Sequence, residues 1–313
     1  MTDLLLQRTQ HVSQTALRKG ALQPLSTVIE TVCEAPFQFQ LRILSSLKEK
    51  ENHRRIKQAE DHSTNPFKPY DPQLYVCDIG PDHICLINKF NVIENHLLLV
   101  TREFEPQTNL LNPSDFKAAL MGLKEIDGLV FYNGGREAGA SQPHKHLQLI
   151  PIGPAELPLA VQLSGFSDRP DSNPALPFHQ AGVQLPLNLH RDADAGALWL
   201  HNHYLALLNH LHLSYTTKQT TMAYNLLLCR EWLMLVPRHA ESFASVSFNA
   251  LAFCGCLLVI TRLQSDTLKS AGIANALLSV TEPLNQKPES KSWNSNKKNK
   301  NRLKAVSKTS DSA

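Results

Sequence analysis

The fold of this chain is decided by one stretch, residues 139–148, which reads Gly-Ala-Ser-Gln-Pro-His-Lys-His-Leu-Gln. Its second half opens a predicted strand over residues 144–150. Because side chains on a strand alternate between its two faces, His144, His146 and Gln148 are expected to share one face. Two imidazoles and an amide are then presented together.

The opposite face of this strand and the loop before it differ in composition. Lys145, Leu147 and Leu149 are expected on the opposite face, where the two leucines pack into the core. The loop contains small residues that let a ligand approach the backbone closely. These small residues are Gly134, Gly135, Gly139 and Ala140. Ser141 and Gln142 add side-chain donors, and exposed backbone N–H groups in such a loop suit phosphate oxygens.

This arrangement favours covalent transfer at phosphorus. A neutral imidazole is a competent nucleophile near neutral pH, because an unperturbed histidine titrates near about pH 6.5. Its other nitrogen needs an acceptor, which a neighbouring backbone carbonyl can supply. Splitting one displacement into two through a phosphohistidine lets two different acceptors use one site. The strand pattern does not choose between His144 and His146 as the nucleophile.

The bulk composition narrows the class of protein. The chain has 313 residues, of which 42% are hydrophobic, so it can bury a sizeable core. A net charge of +3 gives no reason to expect a nucleic-acid partner. The six cysteines show no disulfide or metal-site spacing, and no apolar stretch fits a signal peptide or a membrane span. We therefore expect a cytoplasmic protein with no metal site and no membrane partner.

Hydrophobic spacing and turn residues give a coarse secondary structure. Helices are predicted over residues 15–60, 113–126, 198–213 and 248–263. Strands are predicted over residues 74–78, 83–88, 96–101, 129–132, 144–150, 223–228 and 232–236. Asn112 and Pro113 are good starting residues for the second of these helices. The fold class is therefore α+β, with an antiparallel sheet flanked by helices.

Composition divides the chain into four parts. They are an N-terminal lobe (residues 1–155) that carries the histidines, a connecting segment (156–190), a C-terminal lobe (191–283) and a basic tail (284–313). The connection is rich in Pro, Ser and Asp. The tail has almost no apolar content, so we expect it to be disordered.

Several stretches together resemble a known family. They are residues 65–67 (Asn-Pro-Phe), 86–90 (Leu-Ile-Asn-Lys-Phe), 96–102 (His-Leu-Leu-Leu-Val-Thr-Arg), 139–148, 176–178 (Leu-Pro-Phe), 224–228 (Tyr-Asn-Leu-Leu-Leu) and 232–238 (Trp-Leu-Met-Leu-Val-Pro-Arg). The His-x-His-x-Gln pattern resembles the histidine-triad superfamily, in the branch where Gln replaces the third histidine. The whole set resembles the diadenosine tetraphosphate (Ap4A) phosphorylases, also called ATP adenylyltransferases. The superfamily prefers an apolar residue where Lys145 stands, which we expect to matter little because that side chain faces away from the histidines.

The resemblance implies a HIT-like fold in which two lobes form one site, and it implies phosphorolysis of Ap4A by inorganic phosphate to ATP and ADP. His146 would attack the α-phosphorus, ATP would depart, and phosphate would then attack the histidine-bound AMP. His144 would shape the site and order its hydrogen bonds, and Gln148 would contact the α-phosphate. The polyphosphate would be held by Gly139, Ala140, Ser141 and Gln142.

The resemblance also suggests further substrate contacts. Asn133 would contact the ribose or a phosphate. Asn88 and Lys89 match a family segment that faces the nucleotide. Lys50 follows a segment similar to the family's first part and would clamp phosphate, although a solvated helix lysine is an equally good interpretation.

Two more residues are singled out by their positions. Asn225 is polar within an apolar strand and needs a partner, for which substrate is one candidate. Arg230 lies at a hairpin turn, where it would reach phosphate or simply be an exposed turn residue. No metal-ligand cluster is visible, so no cofactor is firmly implied and any Mg²⁺ would arrive on the polyphosphate. The expected partners are a dinucleoside polyphosphate, ATP, ADP and phosphate, and the expected state is a monomer.

Two other functions stay open at this point. Another nucleotidyl transferase, such as a hexose-1-phosphate uridylyltransferase, would use the same chemistry but normally has Pro where Lys145 stands. A non-catalytic nucleotide sensor would use the fold only to bind. The presence of both His146 and Gln148 argues against a sensor.

Overall fold

The computed structural model describes residues 4–45 and 65–281. Its helices are α1 (Leu4–Arg18), α2 (Pro113–Glu125), α3 (Ala160–Leu163), α4 (Ala193–His210), α5 (Arg262–Ala271) and α6 (Ile273–Ser279). Its strands are β1 (Thr27–Glu34), β2 (Phe37–Leu44), β3 (Tyr75–Ile79), β4 (His83–Ile87), β5 (Leu97–Thr101), β6 (Leu129–Gly134), β7 (His146–Ile150), β8 (Ala181–Gln184), β9 (Ala223–Leu228), β10 (Trp232–Arg238), β11 (Ser242–Phe243), β12 (Val246–Ser247) and β13 (Cys256–Val259). The predicted basic tail and Lys50 lie outside the described residues.

The main sheet joins the two halves of the sequence. Within the described ranges it has eight strands in the order β3-β4-β5-β7-β6-β9-β10-β8, and every neighbouring pair is antiparallel. The junction is the pairing of β6 with β9, which aligns Asn133 with Asn225. This sheet and its flanking helices confirm the predicted α+β class. The division into two lobes stays a prediction, since the described chain forms one compact unit.

The central strands β6 and β7 are buried on both faces of the sheet. Leu147 and Leu149 pack with Phe116 and Leu200 of helices α2 and α4 on one face. On the other face, Phe131 of β6 packs among residues of the smaller sheet and of α5 and α6. The leucines of β7 therefore lie in the core as predicted, and the opposite face of β7 carries His146 and Gln148.

A second sheet replaces a predicted helix near the N-terminus. Strands β1 and β2 form an antiparallel hairpin, and β13 pairs with β2 in parallel. The prediction of helix over residues 15–60 was therefore wrong for residues 27–44. Phe39, Leu41 and Ile43 are buried at a spacing of two, which is strand periodicity, whereas the prediction weighed longer spacings.

Strand β13 also overturns the predicted helix over residues 248–263. The chain there forms a 3-10 turn at Ala250–Cys254 and then enters the strand. Gly255 has φ 93° and turns the chain between them. A Cβ at this position would lie 2.7 Å from Cβ of Pro158, so the turn needs glycine for space as well as for backbone geometry.

Two further boundaries differ from prediction. The connecting segment contributes β8, which pairs with β10 at the edge of the main sheet. Helix α4 begins at Ala193 rather than residue 198, because the Asp192 side chain accepts hydrogen bonds from the N–H groups of Asp194 and Ala195. No helix within the described ranges is long and apolar enough to cross a membrane.

The start of α2 was predicted correctly and offers a stability test. The Asn112 side chain accepts hydrogen bonds from the N–H groups of Ser114 and Asp115, and the Asp115 carboxylate accepts one from the N–H of Asn112. We expect Asn112→Ala to lower the free energy of unfolding by about 1 kcal/mol, because the first turn loses its cap. Urea denaturation measures this, and Asn112→Ser, which keeps a capping oxygen, should stay close to the wild type. Equal losses for both variants would contradict the capping role.

Candidate active site

His146 is the first residue of β7, and one of its nitrogens is held by the backbone. Its Nδ1–H donates to the carbonyl oxygen of His144 at 2.8 Å. A carbonyl can only accept, so Nδ1 carries the hydrogen and Nε2 keeps its lone pair. Nε2 makes no hydrogen bond to the part of the chain that the structure describes. Burial lowers the pKa of His146 to about 4, so the ring is neutral at physiological pH.

His144 has both ring nitrogens occupied by the protein. Its Nε2–H donates to the carbonyl oxygen of Thr101 at 2.8 Å, and its Nδ1 accepts from the side-chain amide of Asn65 at 2.9 Å. Burial also lowers the pKa of His144. This distribution of hydrogen bonds separates the two histidines: His146 has a free lone pair and His144 does not.

The predicted strand over residues 144–150 begins two residues later than expected. His144 lies before β7, so the alternation of faces applies from His146 onward. The two rings are nevertheless near each other, since Phe67 packs against both, with centroid distances of 5.6 Å to His144 and 5.3 Å to His146. Phe67 and Asn65 belong to the Asn-Pro-Phe segment that contributed to the family resemblance.

Gln107 is a site residue that the sequence analysis missed. Its Oε1 accepts from the backbone N–H of His146 at 2.8 Å, and its Nε2 donates to the carbonyl oxygens of Asn133 and His146. The side chain therefore fixes the start of β7 against the end of β6. Gln107 lies in an irregular segment 39 residues before His146, where no motif or periodicity marks it.

The second half of the chain supports the glycine loop through Asn225. Its side-chain amide donates to Oδ1 of Asn133 and to the carbonyl oxygen of Ala138, both at 2.8 Å. Its own Oδ1 accepts from Nη1 of the buried Arg238 at 2.7 Å. The buried amide of Asn225 thus finds partners inside the protein, and its contact with substrate stays a prediction. Arg238 was not predicted at all.

A cavity of about 670 Å³ opens beside these residues. Seven residues that were predicted to contact substrate or the α-phosphate line it, namely Asn88, Asn133, Gly139, Ala140, Ser141, Gln142 and Gln148. His146 is 5% exposed and is not itself among the lining residues. Gln148 of the same strand lines the cavity, as does Gln107, which accepts from the backbone N–H of His146. Arg42 and Arg136 add positive charge to the wall, and Nε of Arg42 is buried with no hydrogen-bond partner among the described residues.

His96 is a second cavity residue that the sequence analysis did not single out. It precedes β5, and its Nδ1 lies 3.3 Å from the side-chain amide nitrogen of Asn88. Its Nε2 is buried and has no hydrogen-bond partner within residues 4–45 and 65–281. Burial lowers the pKa of His96 to about 4, and the nearby Gln148 amide opposes that shift. A buried, unpaired nitrogen in a cavity wall is suited to contact a ligand.

Two predicted substrate contacts lie elsewhere in the described structure. Arg230 donates from Nε to the carbonyl oxygen of Leu123 at 2.7 Å, so it binds the C-terminal end of α2 and does not line the cavity. The physical reason is that the β9–β10 turn lies at the end of the sheet opposite to His146. Lys89 places its ammonium group 5.5 Å from the ring centroid of Phe90 and is likewise outside the lining.

In the described ranges, no group of three or more His, Cys, Asp or Glu side chains is placed to hold a metal ion. The expectation that Mg²⁺ would arrive on a polyphosphate therefore stays a prediction. The cavity wall combines amides, small-residue backbone, two arginines and one carboxylate, Glu241, with apolar side chains between them. Such a lining is suited to an elongated anion whose charge is spread over several phosphate groups.

The depressed pKa of His146 can be measured directly. We expect a ¹⁵N-edited histidine titration to show His146 neutral from about pH 8 down to about pH 5, because burial disfavours the cation. The spectrum should report the Nδ1–H tautomer. His146→Asn assigns the resonance. A midpoint for His146 at the ordinary histidine pKa of about 6.5 would contradict this environment.

The role of Gln107 also leads to a prediction. Gln107→Leu keeps the side-chain volume but leaves the His146 N–H and the Asn133 carbonyl without their partner. We expect the free energy of unfolding to fall by about 1–3 kcal/mol for the buried groups left unpaired. For Gln73→Leu, at an exposed position, the free energy of unfolding should fall much less. Chemical denaturation of both variants measures these changes. Equal losses for Gln107→Leu and Gln73→Leu would contradict a stabilising role for the Gln107 hydrogen bonds.

Comparison with known proteins gives a consistent family assignment. The model of the Ap4A phosphorylase N-terminal domain matches residues 1–164, and that of the ATP adenylyltransferase C-terminal domain matches residues 174–283. Diadenosine 5',5'''-P1,P4-tetraphosphate phosphorylase 2 of Saccharomyces cerevisiae is 31% identical over 243 residues, which cover 68% of this chain and 74% of the yeast protein.

Solved structures extend the similarity to the whole fold. The crystal structure of yeast Ap4A phosphorylase Apa2 has a TM-score of 0.74 at 26% identity, covering 92% of this chain and 98% of Apa2. Apa2 in complex with Ap4A has a TM-score of 0.72 at 25% identity, covering 89% and 97%. On the strength of both family models and these relatives, the chain belongs to the Ap4A phosphorylase family.

Proposed function

We propose that this protein catalyses phosphorolysis of Ap4A, in which inorganic phosphate and Ap4A give ATP and ADP. The observation that carries the proposal is the hydrogen bond from Nδ1 of His146 to the His144 carbonyl. It leaves the Nε2 lone pair of a neutral histidine beside a cavity suited to polyphosphate. Apa2, to which the chain is similar, has been solved in complex with Ap4A.

The first half of the reaction forms a bond between Nε2 of His146 and the α-phosphorus. The bond from that phosphorus to the bridging oxygen breaks, and ATP leaves with the electron pair. The imidazole becomes positively charged as it bonds, and the His144 carbonyl oxygen lies 2.8 Å from the Nδ1–H where part of that charge develops. The same contact therefore orients the nucleophile and stabilises its adduct.

The second half returns the electron pair to the histidine. An oxygen of inorganic phosphate attacks the α-phosphorus, the nitrogen–phosphorus bond breaks, and ADP leaves. The low pKa of His146 supports this step, because a site that disfavours the imidazolium makes the histidine a good leaving group. The other contacts are part of the proposal: Gln148 to a non-bridging oxygen of the α-phosphate, and the loop of residues 139–142 to the rest of the polyphosphate.

The positive side chains of the cavity wall favour a substrate with several phosphates. Arg42 and Arg136 lie on this wall, and buried nitrogens of Arg42 and His96 lack protein partners among the residues described. Burying such groups unpaired is costly, and phosphate oxygens would pair them. Asn88 and Asn133 are proposed to contact the nucleoside portion or an adjacent phosphate.

Two alternatives make different predictions. A uridylyltransferase would transfer UMP between a sugar phosphate and a UDP-sugar, and a sensor would bind without turnover. The family matches favour the phosphorylase over both. Incubation with Ap4A, with and without phosphate, separates the phosphorylase from both alternatives by product analysis. Phosphate-dependent formation of equal amounts of ATP and ADP supports the proposal, whereas two ADP molecules from each Ap4A, or no turnover at all, would overturn it.

We expect His146→Asn to lower kcat by at least about 10³-fold, because the variant lacks the nucleophile while Asn keeps a polar side chain of related size. His11→Asn, at an exposed position on α1, is the matched control and should retain activity. Rapid quench with radiolabelled Ap4A should trap an acid-labile AMP adduct on the His146 peptide of the wild type. An adduct of equal yield in the His146→Asn variant would place the nucleophile elsewhere.

Location and assembly remain part of this proposal. All six cysteines are free, which suits a reducing compartment, and we propose the cytoplasm. Four of them are buried, Cys77 is half-buried, and Cys33 is exposed. We further propose that the protein acts as a monomer, since one chain supplies the histidine, the glycine loop and the strand that supports it.

A further inference from the structure

We propose that Lys145 is a positioning residue for His146, acting through a buried ion network beneath the catalytic strand. The inference rests on the proposed function. Lys145 lies between the two histidines and is completely buried. The sequence suggested that its departure from the superfamily pattern would matter little. The structure shows a charged group that the protein surrounds with compensating partners.

The three ammonium hydrogens of Lys145 each have an acceptor. Nζ lies 2.5 Å from a carboxylate oxygen of Asp115 and 3.1 Å from one of Glu105, and it donates to the carbonyl oxygen of Leu110 at 3.0 Å. Asp115 is also completely buried, whereas Glu105 is partly exposed. The network therefore contains a buried lysine–aspartate pair, and Glu105 is its partly exposed member at the surface.

Asp115 extends the network to two other elements. Its Oδ1 accepts from Nε2 of His83 on β4 at 2.9 Å, and its Oδ2 accepts from the N–H of Asn112 at the start of α2. Burial alone would raise the pKa of Asp115, but the hydrogen bond from His83 and the positive charge of Lys145 hold it below its usual range. Lys145 is thus tied to helix α2 and to strand β4.

The backbone of Lys145 explains how this reaches the nucleophile. Its N–H belongs to the same peptide plane as the His144 carbonyl, and it donates to the carbonyl oxygen of Glu105 at 2.7 Å. The opposite side of that plane accepts the Nδ1–H of His146. Lys145 therefore contacts Glu105 twice: its backbone N–H donates to the Glu105 carbonyl, and its ammonium group pairs with the Glu105 carboxylate. When this peptide plane is fixed, the His144 carbonyl stays in place as the acceptor, and this fixes the tautomer and the orientation of the His146 ring.

The energetic balance argues that the network serves more than stability. Burying a lysine and an aspartate costs desolvation that their attraction offsets only with good geometry, and a well-packed apolar residue often does as well. Removing one partner alone leaves an uncompensated charge. The superfamily prefers an apolar residue at this position, yet this chain has a charge pair. Hydrogen bonds of fixed direction can hold the peptide plane between residues 144 and 145, and an apolar side chain cannot form them.

The test separates positioning from plain stability with three variants. Lys145→Met removes the ammonium group at similar length, and Lys145→Met combined with Asp115→Asn also removes the stranded buried carboxylate while keeping an acceptor for His83. Lys117→Met, which removes a partly exposed lysine on α2 paired with Asp194 at 2.5 Å, is the matched control. The measurements are melting temperature, kcat and KM for Ap4A, and the ¹⁵N shifts of His146.

We expect the double variant to recover part of the melting temperature that Lys145→Met loses. Recovery is incomplete because the single amide oxygen of Asn cannot accept from both His83 and the Asn112 N–H. Its kcat should stay about 100-fold below the wild type with KM changed far less, because a small misplacement of a reacting group lowers the rate of the chemical step. The His146 ¹⁵N shifts should report a mixture of tautomers in both Lys145 variants and not in Lys117→Met. Recovery of kcat together with the melting temperature, or an unchanged His146 tautomer, overturns the proposal.

These readouts distinguish two kinds of failure. A wild-type protein that does not turn over Ap4A would refute the proposed function. The tautomer of His146 is measured without substrate, so it still decides whether Lys145 positions the ring. An altered tautomer in Lys145→Met supports the positioning role in either case, and an unaltered one refutes it.

Discussion

The site depends on a single hydrogen bond, from Nδ1 of His146 to the backbone carbonyl of His144. It fixes which nitrogen carries the proton, which nitrogen carries the lone pair, and the direction in which that lone pair points. The rest of the local structure maintains it. Thr101 and Asn65 form hydrogen bonds with the two ring nitrogens of His144, and Gln107 accepts a hydrogen bond from the backbone N–H of His146. Of the two histidines, His146 is the one with a ring nitrogen unpaired among the described residues, and for that reason it is the proposed nucleophile.

The second half of the sequence contributes support in place of reacting groups. Asn225 and Arg238 lie on the paired strands β9 and β10, and their side chains hold Asn133 and the carbonyl of Ala138 from behind the glycine loop. Arg238 is buried deeply enough that desolvation lowers its pKa to about 10. A loop that binds phosphate through its backbone needs such anchoring, because small residues by themselves leave the chain flexible.

Local signals in the sequence were sufficient for much of the fold and for part of the site. The caps at Asn112 and the alternation of Leu147 and Leu149 depend on neighbouring residues, so they could be predicted. The β1–β2 hairpin and β13 were missed, because their short apolar runs also fit helical spacing. For β13 there is a second reason, since its partner β2 lies more than 200 residues earlier in the sequence.

The same limit applies to individual site residues. Gln107, His96 and Arg238 act through contacts that only the folded chain creates. His96 and Arg238 belong to stretches that contributed to the family resemblance, but neither was assigned a role from them, and no local pattern marks Gln107. Arg230 shows the converse case. The sequence left open whether it reaches phosphate or is an ordinary turn residue, and its turn lies at the far end of the sheet, where it binds the end of α2. The position of Arg230 relative to the cavity depends on which end of the strands its turn joins, and the residue type does not reveal this.

The pairing of β6 with β9 has a consequence for attempts to divide the protein. The two matched family regions end and begin between these strands, so expressing residues 1–164 alone would leave β6 as a bare edge. Val130 to Gly134 would then present unpaired backbone groups flanked by apolar side chains that are fully buried in the intact chain. Such an edge is a template for another strand. An isolated N-terminal fragment should therefore self-associate or aggregate, and co-expression with the C-terminal fragment should be needed to keep it dispersed.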